Sequence, residues 1–292
     1  MANTVYGVGQ SYLLDLDGQP AGKLRSSTTK VISDHSIEQS PKGQLMIDDI
    51  KISCGAGMDR VFQEWIRNTI DKSYTRKDGS VTLLDVSQKK AMYLDFNNAL
   101  ISELSTPALD RSAKGDGYFA IAIRPERLSI RGGQHSFDSK KLPKYGPPPR
   151  PVNTGRFKLA IDGLETECAN VTKVDSLSFK LGITNDSAGQ NRTPGLVPSG
   201  KLVESDLVLT IPAPSVGRFY DWFTSLVTQG SKSDNRNGSL EYLAADSDKR
   251  ELRLEFGQLG IKSLGLPTKD DLKPNDPAKI ALYYDSIKIA ER

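Results

Sequence analysis

Two stretches of the chain alternate apolar and polar side chains and then stop at the same pair of residues. Tyr12, Leu14 and Leu16 run into Asp17-Gly18, and Phe157, Leu159 and Ile161 run into Asp162-Gly163. Alternation with period two predicts a strand with one buried face, and Asp-Gly predicts a tight turn at its end. Further along each half the period changes to that of a helix. Phe62, Trp65, Ile66 and Ile70 predict a helix over residues 58–71. Phe219, Trp222, Phe223 and Leu226 predict another over 214–229, with Pro212 and Pro214 at its start and Gly230 beyond its end. The chain's only tryptophans, Trp65 and Trp222, take equivalent places, and their apolar neighbours make both core residues.

The correspondence continues. Asp78-Gly79-Ser80 and Asn237-Gly238-Ser239 predict turns ahead of strands at 81–84 and 240–243. Second turns at 87–90 and 246–249 lead to return strands at 91–96 and 250–256. Alternating strands at 119–130 and 278–289 close each half. Phe96 to Pro107 and Phe256 to Pro267 are both 11 positions, and Trp65 to Gly79 and Trp222 to Gly238 are 14 and 16. Five elements in one order predict an internal duplication. The expected domains are 1–130 and 156–292, joined by a linker, 131–155. That linker contains Gly132-Gly133 and Pro147-Pro148-Pro149, so it is expected to be extended and to separate the two. The greater length of the second half is assigned to 185–200, which is rich in Gly, Pro, Ser and Asn.

The residues Phe157 to Gly163, Phe219-Tyr220-Asp221-Trp222, Asn237-Gly238-Ser239-Leu240, Leu254-Glu255-Phe256 and Ile280 to Ile289 stand in an order that resembles the tail-tube family of contractile phages and related injection systems. The first half repeats the order at Tyr12 to Gly18, Glu64-Trp65, Asp78-Gly79-Ser80, Leu94-Asp95-Phe96 and Ile121 to Ile130. The resemblance implies a mainly β fold, a β-barrel or sandwich with one helix per domain, here as two tandem tail-tube-like domains. It implies a structural, ring-forming role in the inner tube of a phage tail or phage-like injection system. Three chains would then make a ring of pseudo-sixfold symmetry. The implied partners are further copies of the chain in rings and stacked tubes, sheath and baseplate proteins, and DNA or protein cargo in the lumen. The polar face of strands such as Arg250–Phe256 would turn to that lumen. A simple tube subunit has one such domain, so the tandem arrangement leaves a baseplate-proximal, initiator or cap position, or a non-contractile tail, as the alternative.

Composition adds exclusions. Of 292 residues, 39 are Lys or Arg and 36 are Asp or Glu, a net charge of +3. That balance argues against a dedicated nucleic-acid binder or a membrane-surface protein. No apolar run approaches the length of a membrane span, and the N-terminus lacks the pattern of a signal peptide, so synthesis in the cytoplasm and assembly into a particle are expected. Cys54 and Cys168 cannot make a disulfide framework, and with His35 and His135 they leave little for a zinc site. Gly195 to Leu202 nearly spells a phosphate-binding loop. It ends in Leu202 where Ser or Thr should hold magnesium, and Pro198 removes an N–H from the cradle. Gly7-Val8-Gly9 and Gly55-Ala56-Gly57 read as turn glycines, and Asp48-Asp49 and Asp270-Asp271 as solvated surface. The expected protein is therefore not an enzyme. No catalytic, cofactor-binding or metal-binding residue is assigned, and no cofactor is implied.

Overall fold

The computed structural model describes residues 11–29, 31–34, 44–85, 91–132, 145, 149–186, 195–229, 234–244, 246–266 and 276–290. The first half forms β1 (Ser11–Leu16), β2 (Gln19–Leu24), β3 (Ser26–Thr28), β4 (Val31–Asp34), β5 (Gln44–Ile47), β6 (Ile50–Cys54), α1 (Arg60–Ile70), β7 (Lys77–Leu84), β8 (Ala91–Ser105), β9 (Leu109–Asp110), β10 (Asp116–Gly117), β11 (Phe119–Arg124) and β12 (Arg127–Gly132). The second half forms β13 (Val152–Ile161), α2 (Glu165–Ala169), β14 (Lys173–Val174), β15 (Ser178–Lys180), β16 (Ile183–Asp186), β17 (Gly195–Pro198), β18 (Val203–Glu204), β19 (Leu207–Pro212), α3 (Gly217–Gln229), β20 (Arg236–Ala244), β21 (Arg250–Gly265), β22 (Pro277–Tyr283) and β23 (Ser286–Ile289). A short 3-10 turn, Ala213–Ser215, places Pro214 ahead of α3. The fold is mainly β with antiparallel pairing, as the alternation predicts.

Two compact units result, and neither is continuous in sequence. Unit 1 is Met1–Leu104, Phe119–Arg150 and Lys180–Val203; unit 2 is Ser105–Tyr118, Pro151–Phe179 and Glu204–Arg292. The expected boundaries at 130 and 156 therefore differ from the units that form. The segment read as a linker also differs where it is described. Its last residues begin β13 at Val152. Arg150 is held in unit 1, its carbonyl accepting from the Ala56 N–H at 3.1 Å, and Tyr145 donates to Asp15 at 2.5 Å. Residues 133–144 and the prolines at 147 and 148 lie outside the described residues.

In unit 1 the strands run β2-β1-β7-β8-β11-β6-β3, with β12 also on β8. Only Arg25 separates β2 from β3, so the two ends of this order are one run of chain and the sheet closes on itself. Leu14, Leu16, Phe96 and Ile50 fill the interior, and α1 adds Phe62 and Trp65, all fully buried. The Trp65 indole N–H donates to the Thr75 carbonyl at 2.7 Å. In unit 2 the order is β10-β13-β20-β21-β22-β19-β14-β9, with β23 on β21. Phe219 and Trp222 of α3 are buried with Ile161, Leu240 and Phe256. The Trp222 N–H donates to the Asp234 carbonyl at 2.9 Å.

Asp78-Gly79 and Asn237-Gly238 are not turns, as their composition suggests, but lie inside β7 and β20. Packing explains the residue types. Leu16, Gly79 and Phe96 are cross-strand neighbours, as are Ile161, Gly238 and Phe256. A Cβ on Gly79 would meet the Asp15 carbonyl oxygen and lie 2.5 Å from the Phe96 ring; one on Gly238 would lie 2.7 Å from Leu259 and 2.8 Å from the Ala160 carbonyl. The preceding polar residue has its own task. The Asp78 carboxylate accepts the Asn98 N–H at 2.7 Å, and the Asn237 side-chain oxygen accepts the Gln258 N–H at 3.4 Å. Asn98 and Gln258 have φ of 52° and 57° and form bulges. Bulging lets β8 and β21 continue far beyond Phe96 and Phe256, where the return strands were expected to end, and bend from one part of the sheet into another. Gly79→Ala and Gly238→Ala are each expected to cost about 1–3 kcal/mol through overpacking, read as a lowered urea midpoint with unchanged slope.

After Gly163 the chain forms the helix α2, and Glu165 in its first turn accepts the Gly163 N–H at 2.9 Å. Two more local expectations change. Each closing strand is two strands. The breaks are tied by Glu126 N–H to the Asn97 carbonyl and Asp285 N–H to the Gly257 carbonyl, both 3.1 Å. Asp49 is packed rather than solvated: its carboxylate takes the Arg124 guanidinium and the Ser102 hydroxyl. Asp48 is exposed. The turn at 87–90, Gly7-Val8-Gly9, His35, His135 and Asp270-Asp271 lie outside the described residues.

Candidate assembly interface

Two segments cross from one half of the sequence into the unit built mainly by the other half. In unit 2, β13 and β14 would be open edges by the pairings of their own half. Exposed edges invite indiscriminate strand addition. The segment Ser105–Tyr118 covers both. Its β9 pairs with β14, Leu109 opposite Val174 and Asp110 opposite Lys173, and its β10 pairs with β13, Gly117 opposite Val152 and Asp116 opposite Asn153. Leu109 and Val174 are both buried. Between the two strands the Arg111 N–H donates to the Thr172 carbonyl at 2.8 Å, and the Arg111 guanidinium lies 4.4 Å over the Phe157 ring. Thr154 donates N–H and hydroxyl to the Gly115 carbonyl at 3.1 and 2.8 Å. At the start of the segment, the Thr106 N–H reaches the Leu177 carbonyl at 2.9 Å and the Thr106 hydroxyl accepts the Leu177 N–H at 3.0 Å. Gly155 is required here, since a Cβ would collide with the Ala113 carbonyl.

Asp110 pairs with Lys173 at 2.7 Å and accepts from the Ser112 N–H and hydroxyl. These donors, Lys173 first, hold its pKa down at about 2. A carboxyl depressed on folding stabilises above the ordinary carboxyl range, and that contribution is lost as pH falls through about 2. Protection of the Arg111 amide is thus expected to persist through pH 4. In Lys173→Met the Asp110 pKa should rise towards its ordinary value, and the protection should decline at correspondingly higher pH in amide exchange and carboxyl titration.

Unit 1 receives Lys180–Val203 from the second half. The near-phosphate-loop motif lies in this segment, and its Gly195–Pro198 is the strand β17, paired with β16 as a hairpin; Leu202 is buried. Strand geometry explains why no anion cradle forms, since the N–H groups alternate in direction rather than converge. Leu196 is 3% exposed, and its carbonyl accepts from the Arg76 guanidinium. The Leu181 N–H donates to the Ser102 carbonyl at 2.8 Å, and Lys180 meets Glu103 at 3.2 Å.

The outer face of β20 and β21 is polar and charge-balanced. Arg253 touches Glu241 and Glu255, both at 3.0 Å, and Lys288 of β23 is in register with Glu255. The expected alternation over Arg250–Phe256 is interrupted at Glu251, which is buried where the register shifts opposite Leu243. Cys54 and Cys168 are free and buried, and burial pushes each thiol up to about 12, which makes both inert at neutral pH. Among the described residues no group of His, Cys, Asp and Glu could hold a metal ion, and no helix is long and apolar enough to cross a membrane. Neither exchanged segment announces itself in the sequence. The matching Leu104…Pro107 and Leu264…Pro267 mark only where the long strands end.

Residues 25–126 match the family described as T4-like virus tail tube protein gp19. That stretch, about a third of the chain, is similar to a tail-tube protein. No curated protein matches the chain. Among solved structures, Hcp1 from Flavobacterium johnsoniae is 17% identical, covering 43% of this chain and 98% of its own, with a TM-score of 0.32. A chain of the six-fold-symmetrised baseplate of the anti-feeding prophage is 11% identical, covering 46% of this chain and 99% of its own, with a TM-score of 0.31.

Proposed function

We propose that the chain is a non-enzymatic ring component of the inner tube, made of two copies of one tube domain, and that three chains close a ring of pseudo-sixfold symmetry. The observation that carries this reading is the exchange of segments: unit 2 is completed by Ser105–Tyr118 and unit 1 by Lys180–Val203. A domain built to receive a neighbour's strands suits a closed ring, where head-to-tail contacts leave no free margin. The repeated bulges at Asn98 and Gln258 and the paired tryptophan N–H bonds support the duplication. Stacked rings form a passive conduit for cargo, with sheath and baseplate proteins as outer partners, in a particle assembled after synthesis in the cytoplasm. Native mass spectrometry of the purified assembly is expected to show three chains per ring; six chains per ring would overturn the stoichiometry. Long tubes in negative stain place the chain in the main tube, and isolated rings place it at a baseplate or cap.

A further inference from the structure

The outer faces of the two sheets can be compared position by position. In unit 1 the row beside Leu16, Gly79 and Phe96 is Asp15, Ser80 and Asp95. The Ser80 hydroxyl donates to the Asp15 carboxylate, and so does the Tyr145 hydroxyl, at 2.5 Å. Tyr145 reaches this face from outside the sheet and packs with Tyr93 against Leu13 and Leu84. In unit 2 the row beside Ile161, Gly238 and Phe256 is Ala160, Ser239 and Glu255, with Lys288 of β23 next in register. The serine is kept, and alanine stands where unit 1 has the carboxylate.

A groove of about 410 Å³ opens over this row and is lined wholly by unit 2. Its small residues are Ala160, Ser239, Gly257 and Ser286. Ser239 is 8% exposed, and its hydroxyl has no hydrogen-bond partner among the described residues. Leaving such a group unpaired is costly. Lys288 is exposed on the groove wall and forms no ion pair among the described residues. Glu255 is tied to Arg253 at 3.0 Å, so its charge is already engaged. The free donors, Ser239 and Lys288, call for an acceptor that carries negative charge. A carboxylate suits them better than a phosphate, because a second negative charge would face Glu255 and Asp162, which also line the groove.

We propose that the groove of unit 2 binds a single acidic side chain presented by a segment of another protein, its carboxylate accepting from Ser239 and pairing with Lys288. Asp15 shows the placement: in unit 1 the acceptor is built in, and in unit 2 it arrives from outside. The occupant is a protein segment because the equivalent face of unit 1 is covered by one, which bonds to it through Tyr145. The site lies within unit 2 and stands apart from the ring reading.

Carbodiimide coupling to the full-length chain tests it. The probe is acetyl-Gly-Glu-Gly-amide, whose lone carboxylate forms an amide with a lysine held against it. Mass spectrometry should find the peptide on Lys288 about tenfold or more above Lys158, an exposed lysine of β13, the fold-change of about 1.4 kcal/mol. Ser239→Ala should remove most of that excess. Ala160→Asp should abolish it, because the new carboxylate takes the Ser239 hydroxyl as Asp15 takes that of Ser80. Ala160 is exposed, so this variant should keep the wild-type thermal midpoint. Acetate at the peptide's concentration should not compete; equal competition would mean a site for free carboxylates and overturn the protein segment. Peptide spread evenly over exposed lysines, or an excess on Lys288 that survives Ala160→Asp, would overturn the site. Without peptide, coupling of Lys288 to an acidic residue of its own chain other than Glu255, or of a second copy, would overturn the proposed occupant. All of these outcomes leave the ring stoichiometry untouched.

Discussion

Trp222→Ala is expected to lower the stability of unit 2 by about 3–5 kcal/mol, the range for deleting a large buried aromatic. That is a large share of the roughly 5–15 kcal/mol that holds a typical domain folded. Trp222 is 1% exposed, and three interactions end with it. Its packing with the sheet is lost to a cavity, its N–H no longer satisfies the Asp234 carbonyl at 2.9 Å, and the Arg236 guanidinium loses the ring 4.8 Å beneath it. Trp222→Phe separates these, since it keeps most of the volume and drops the hydrogen bond, with an expected cost nearer about 1 kcal/mol. The variant also simplifies its own measurement. Trp65 becomes the only tryptophan, so its fluorescence follows unit 1 while far-UV circular dichroism follows the whole chain. In Trp222→Ala the dichroism should begin to fall at lower urea than in wild type. An unshifted transition would remove Trp222 from the list of residues that hold unit 2 together.

The two tryptophans were legible because their signal is local: apolar residues spaced for one face of a helix, as at Phe62 and Trp65, can bury only that face. The strands β1 and β13 were legible for the same reason, through alternation. Asp78-Gly79 and Asn237-Gly238 misled because Asx-Gly is chemically suited to two tasks. It makes tight turns, and it also places a hydrogen-bond acceptor beside a residue with no Cβ. Here the second task prevails, with Asp78 and Asn237 holding bulge amides and Gly79 and Gly238 admitting a close neighbour. The choice depends on Phe96 and Phe256 across the sheet, which no local window contains. The exchanged segments were illegible for a related reason. Leu109, Thr106 and Arg111 form no periodic pattern, because only two residues of β9 pair and the rest of the segment turns. Their partners lie more than fifty positions away, at Val171, Thr172 and Leu177, so sequence-local reasoning registers only a proline and a polar stretch.

Leu109→Asp is expected to release Ser105–Tyr118 from unit 2 and to cost more than about 4 kcal/mol, beyond most point mutations, because it forces a charge into an apolar contact. Leu109 is 1% exposed and faces Val174 across the β9–β14 pair. Lys173, the cation at the next register position, is already engaged by Asp110 at 2.7 Å. The segment is held mostly by backbone bonds at its ends and middle, so losing its apolar anchor should free it as a piece. Hydrogen exchange is the direct readout. The amides of Thr106, Arg111 and Thr154, which donate to Leu177, Thr172 and Gly115, should all lose protection together. Amides in β20 and the adjoining part of β21 should keep theirs if the rest of unit 2 survives. Leu109→Ala provides the graded control, leaving a cavity but no charge, at about 2–5 kcal/mol. The consequence for assembly follows from edge chemistry. With β9 and β10 gone, β13 and β14 each present unpaired N–H and C=O groups, and those groups will take any strand offered. On the ring reading proposed above, Leu109→Asp should therefore give irregular aggregates rather than rings or stable monomers. Unaltered protection at Arg111 would mean that Ser105–Tyr118 is an ornament on unit 2 and not the closure of its sheet.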